Sequence, residues 1–92
     1  MKENNHLATL DEIKKMPPEE AILCLDSYIS AYPGDDEALT LRGLRHWGLN
    51  HRKEAINDYL AALKINPESR AKMALEYANS ILNYYNKDLL NP

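Results

Sequence analysis

Few residues in this chain are of types that do chemistry, and their spacing limits what they can do. His46 and His51 are the closest pair of imidazoles. A zinc-binding helix places histidines at i and i+4 and adds a third ligand. These two stand five apart across the expected end of a helix, so no metal site is expected. Cys24 is the only cysteine, which excludes an intramolecular disulfide and a cysteine-based metal cluster. It lies in an apolar run, and Asp26 nearby is the wrong charge to favour a thiolate, so it reads as a buried, unreactive thiol. No order of Ser, His and Asp, or of Cys and His, points to nucleophilic catalysis. Asp35 and Asp36 sit where a helix should begin and read as caps. Gly43 and Gly48 fall inside a helical pattern rather than in a phosphate-cradling loop. Neither enzyme activity nor a cofactor is expected.

One cluster is basic. "RGLRHWGLNHRK" (42–53) holds Arg42, Arg45, Arg52 and Lys53 beside both histidines. It has the charge for an anion or an RNA backbone. The alternative is a solvated cluster paired with Glu37, Asp58 or the N-terminal third, where three lysines face seven acids. The net charge of the chain is −3, with no global basic footprint, so nucleic acid is not the expected partner.

The elements that must carry these residues are helices. The chain of 92 residues is 45% hydrophobic and 27% charged, with three Gly and no Phe. That length is one small domain, burying about 60–65% of its unfolded surface. No secretory leader is legible in "MKENNHLATL", and no apolar run approaches the roughly 20 residues of a membrane span. A cytoplasmic location is the default expectation. Apolar spacing predicts five helices, over about 7–16, from 17 or 18 to 31, 36–48, 52–65 and 70–86. Thr9 with Glu12 fits a capping box, and Pro17 or Pro18 suits the first turn of the second helix. Asp35 or Asp36 should cap the third helix and Ser69 the fifth. Pro67 should end the fourth, and the tail after residue 86 should fray.

Within this pattern the chain repeats itself. "EAILCLDSYISAYP" (20–33) returns 34 residues later as "EAINDYLAALKINP" (54–67). A 34-residue period with two helices per period marks a repeat architecture. Residues 36–69 hold one full unit, marked by Leu39, Arg42–Gly43, His46, Ala55, Tyr59 and Pro67. This unit resembles the tetratricopeptide repeat, with Arg42 and His46 in place of the usual Leu and Tyr. Residues 7–35 form a partial unit with Thr9 at the glycine position, and 70–86 a terminal capping helix. The expected fold is therefore all-α, about two and a half tetratricopeptide-like repeats in a single domain over 1–92. Gly43 should let its helix approach closely where Ala55 crosses, with Tyr59 and Leu63 filling the space below.

The resemblance implies a non-catalytic protein-interaction module with a concave groove lined by first helices. Carried over by position, that groove includes Thr40, Leu44 and Trp47, and on the last helix Ala74, Ala78 and Ile81. Thr40 and Leu44 stand where chaperone-binding members carry a polar carboxylate clamp, so that ligand is not expected. Trp47 either anchors a partner or packs into the core. The fifth helix spreads apolar residues over an arc of about 200°, wider than one buried face requires. Met73, Tyr77, Tyr84 and Tyr85 on it form a possible dimer surface. The partner is thus an unidentified protein or peptide, or a second copy of the chain.

Overall fold

The computed structural model describes residues 7–90, with side chains described for residues 7–83. Five α-helices follow one another with no strand among the described residues: α1 (Leu10–Lys14), α2 (Pro18–Ala31), α3 (Asp36–Gly48), α4 (Arg52–Ile65) and α5 (Ala71–Leu90). The fold class is all-α. Helix α1 is shorter than its apolar stripe predicts because its cap lies inside the stripe. Thr9 Oγ1 accepts from the Glu12 amide at 3.2 Å, and Glu12 Oε1 accepts from the Thr9 amide at 2.8 Å. Helix α5 is longer than expected and reaches Leu90 rather than ending at residue 86. Nothing from 71 to 90 is Gly or Pro, so no residue there breaks it.

The turns follow from local chemistry. Tyr32 and Asn66 leave helical geometry just before Pro33 and Pro67, whose rings crowd the preceding residue. Asp35 caps α3 by accepting from the amides of Glu37 and Ala38 at 3.0 and 3.2 Å. Its other oxygen accepts from the Tyr28 hydroxyl at 3.0 Å, which ties the end of α2 to the start of α3. Ser69 Oγ accepts from the Ala71 amide at 3.1 Å at the start of α5.

The α3–α4 turn is a Schellman motif. Asn50 takes a left-handed φ of 68°, a conformation Asn tolerates better than most residues. The Asn50 amide donates to the Trp47 carbonyl at 3.0 Å and the His51 amide to the His46 carbonyl at 2.8 Å.

Packing runs mainly between sequence neighbours, with α3 also touching α5. One core cluster joins Ile13, Ala21, Leu25, Ala38 and Leu41 of α1, α2 and α3. The other joins Leu39, Ala55, Tyr59, Ala62, Ala71 and Ala78 of α3, α4 and α5. Residues 34 apart take matching places. Ala21 and Ala55 are both fully buried, as are Leu25 and, within 1%, Tyr59. Helix α3 serves both clusters from opposite sides.

Gly43 sets how close α3 and α4 come. A Cβ there would lie 2.6 Å from Tyr59 Cε1 and 3.1 Å from the Ala55 carbonyl oxygen. Both distances are below van der Waals contact, so the approach depends on the missing side chain. Thr9, 34 residues earlier, is a helix cap and meets no such crossing. The radius of gyration is 15.0 Å, against roughly 12 Å for a compact chain of this length. Part of the excess is α5, which has 20 residues to the 14 of α4 and outruns it by about 9 Å at helical rise.

Candidate functional site: an apolar groove between α3 and α5

The same helical spacing on two helices builds a groove. Glu37, Thr40, Leu41 and Leu44 of α3 fall at i, i+3, i+4 and i+7, and Arg70, Met73, Ala74 and Tyr77 repeat that spacing at the start of α5. The two rows face each other, and Lys14 at the end of α1 completes a cavity of about 380 Å³. Thr40 and Ala74 are short, which leaves a depression between the larger Leu44, Met73 and Tyr77.

Hydrogen bonds fix the floor. Thr40 Oγ1 donates to the Asp36 carbonyl at 2.8 Å and lies 3.2 Å from Ser69 Oγ. Ser69 in turn receives the Ala71 amide, so one hydroxyl pair pins the N-terminal turn of α5 against α3. Asn66 Nδ2 donates to Asp36 Oδ2 at 3.4 Å beside it. At the rim, Arg70 Nε stands 3.8 Å from Glu37 Oε2. The pair is exposed, so it shapes the entrance more than it stabilises the fold. Leu44, Met73 and Tyr77 are 44%, 75% and 61% exposed. That is a large cost in wetted apolar surface for a chain this small.

Thr40, Leu44 and Ala74 line the groove. Ala78, expected there, is buried in the α3–α4–α5 core at 1% exposure and offers nothing to a ligand. Helix α5 is rotated so that Ala71 and Ala78 face inward while Met73 and Tyr77 turn to the cavity. Ile81 is half-buried one turn beyond Tyr77 and outside the groove lining. Met73 and Tyr77, assigned from sequence to a separate dimer face, share the groove with Leu44. The side chains of Tyr84 and Tyr85 lie outside the described residues. Leu41, Lys14 and Arg70 were not anticipated. Leu41 was legible in the i, i+4 spacing from Glu37, but Lys14 comes from another helix and carries no such signal.

Trp47 has a role between the two alternatives. It is half-buried and packs against the α3–α4–α5 core. Its ring meets Tyr77 edge-on, with centroids 6.4 Å apart and planes at 70°. The Arg52 guanidinium carbon lies 4.6 Å from the ring centroid, a cation–π contact. Trp47 therefore supports Tyr77 rather than lining the groove itself.

The basic cluster is largely engaged. Arg42 forks onto Asp58 of α4 with Nε–Oδ2 at 2.9 Å and Nη2–Oδ1 at 2.8 Å. Its Nη1 reaches Asp26 of α2 at 2.9 Å. The hydrogen bond to Asp58 is the main cause raising the Arg42 pKa, against an opposing desolvation. Arg45 donates to the Lys14 carbonyl at 3.3 Å and Arg52 to Asn50 Oδ1 at 3.0 Å. Glu37 pairs with Arg70 rather than with this cluster. Cys24, expected to be buried, is half-buried, because α2 is an outer helix and the short α1 covers only part of it.

No helix among the described residues is long and apolar enough to cross a membrane. No family model, curated protein or solved structure matches the chain.

Proposed function

We propose that this chain is a non-catalytic protein-interaction module that takes an apolar segment of a partner protein into the α3–α5 groove. The observation that carries the reading is the groove itself, where Leu44, Met73 and Tyr77 stay exposed around a shaped cavity. In this reading the helices stack as tetratricopeptide-like repeats, supported by the 34-residue match between Ala21 and Ala55 and between Leu25 and Tyr59. The Leu-Met-Tyr wall would take the apolar side chains, and Lys14, Glu37 and Arg70 would set direction at the rim.

Photo-cross-linking from position 73 in the source cell tests this. Partner capture should be lost in Leu44→Asp and Tyr77→Asp and kept in Leu23→Asp, which charges an apolar position on α2 that is more exposed than either. Capture that survives both groove substitutions would reject the reading.

A second reading, self-association through α5, is favoured by the exposure of Met73 and Tyr77. Light scattering across a concentration series separates the two, since a strict monomer leaves only the hetero-partner. Anion or RNA binding through 42–53 has less support, because Arg42 is committed to two aspartates.

A further inference from the structure

The α3–α4 turn brings two imidazoles together. In a Schellman motif the residue three from the helix end and the second residue past it are held in contact, and apolar side chains usually fill both places. Here those places hold His46 and His51. Their Nδ1 atoms lie 3.1 Å apart and their ring centroids 5.3 Å apart. The backbone that fixes this contact is tight: the left-handed Asn50 and the 2.8 Å bond from the His51 amide to the His46 carbonyl. The spacing of five, wrong for a continuous helix, suits a pair folded back across this turn.

We propose that His46 and His51 form a two-nitrogen chelate for a divalent transition metal of the Zn²⁺ class. Two imidazole nitrogens at 3.1 Å, each bound at the usual Zn–N length, enclose an angle of roughly 95–100° at the ion, between the square-planar and tetrahedral values. As the pair stands, one ring donates its Nδ1–H to the other. On binding, that ring moves its hydrogen to Nε2 through solvent, so both Nδ1 lone pairs face the ion and no net proton is lost. The centroid separation places the nitrogens nearly on the line between the rings, so each ring must turn by roughly 40° towards an ion lying off that line. His51 is exposed and His46 half-exposed, which leaves the ion's other positions open to water. Among the described residues no third His, Cys, Asp or Glu joins them, so these residues contribute two ligands. The neighbouring arginines are drawn elsewhere, Arg52 to Trp47 and Asn50, Arg45 to the Lys14 carbonyl.

The test is ZnCl₂ titration of the untagged full chain carrying His6→Gln, which removes the third histidine. Calorimetry should show one ion per chain, and imidazole nitrogen NMR should show both Nδ1 resonances moving, with Nε2 moving as well only in the ring that takes up its hydrogen there. His46→Leu and His51→Leu each restore one side of the apolar contact that the motif ordinarily uses, and the double variant both, so circular dichroism should be unchanged. Each should lower affinity by about tenfold or more, with the double variant little worse than either, as expected when a chelate loses one arm. Asn50→Gly keeps the left-handed turn and should keep the affinity. Single variants that bind as tightly as the parent, or shifts confined to Nε2, would overturn the proposal.

Discussion

Arg42 of α3 grips Asp58 of α4 with both carboxylate oxygens engaged, at 2.9 and 2.8 Å, and Asp58 is buried. Breaking such a pair leaves a charge without its partner inside the protein. Arg42→Met should cost on the order of 3 kcal/mol, whereas the double change Arg42→Met with Asp58→Leu should cost clearly less than Arg42→Met alone. Urea denaturation of the parent and the two variants reads this directly. A double variant as unstable as the single one would show that the pair matters through packing instead.

Gly43 should resist even alanine. Alanine is the better helix former by about 1 kcal/mol, yet its Cβ would meet Tyr59 Cε1 at 2.6 Å and the Ala55 carbonyl. The clash, about 1–3 kcal/mol, should outweigh that gain and leave a net loss of up to about 2 kcal/mol. In a Tyr59→Leu background the penalty for Gly43→Ala should shrink, because the ring edge is gone. A double-mutant cycle by chemical denaturation measures the difference.

Alkaline conditions should loosen the fold through Tyr28 and Tyr59. Burial raises both phenol pKa values above 10.0. The hydrogen bond to Asp35 and its charge add to the shift at Tyr28, and the charge of Asp58 adds to it at Tyr59. A raised value means the folded chain holds the proton more tightly than the unfolded one. This contribution is whole below the ordinary tyrosine value and is lost as pH rises through the folded values. Denaturation midpoints should therefore fall above that pH, in step with tyrosinate absorbance. Tyr59→Phe should flatten part of the fall.

Ser69→Ala should unfasten the start of α5. It removes the acceptor for the Ala71 amide and the partner of Thr40 Oγ1, and it should cost about 1 kcal/mol. Hydrogen exchange should quicken first at the N-terminal turn of α5. The groove would lose definition with it, so partner binding should weaken more than global stability suggests.

The helices were largely legible in the sequence because their punctuation is local. Prolines 18, 33 and 67, the Thr9–Glu12 box and Asp35 each act on residues within four positions. The Gly43 crossing was legible because the resemblance of 36–69 to a two-helix repeat sets a glycine on the first helix against Ala55 on the second. The rotation of α5 was not. An arc of apolar residues that wide fixes no single inward face, and Ala78 went to the core where the groove had been expected. Lys14 at the rim and the two imidazoles across the turn were also hidden. Both depend on how the chain returns on itself, and neither leaves a period in the sequence.

The order of packing has a kinetic consequence. Nearly every interface joins helices adjacent in sequence, so the chain closes short loops before long ones and should fold quickly, in the microsecond-to-millisecond class of helical proteins. Helix α3 belongs to both clusters and packs most heavily on α4, so this pair should form first. Helix α1, five residues long and packed mainly on α2, should add last and open first. Because Lys14 closes one side of the groove, that opening would admit a partner at a cost below that of unfolding the whole chain.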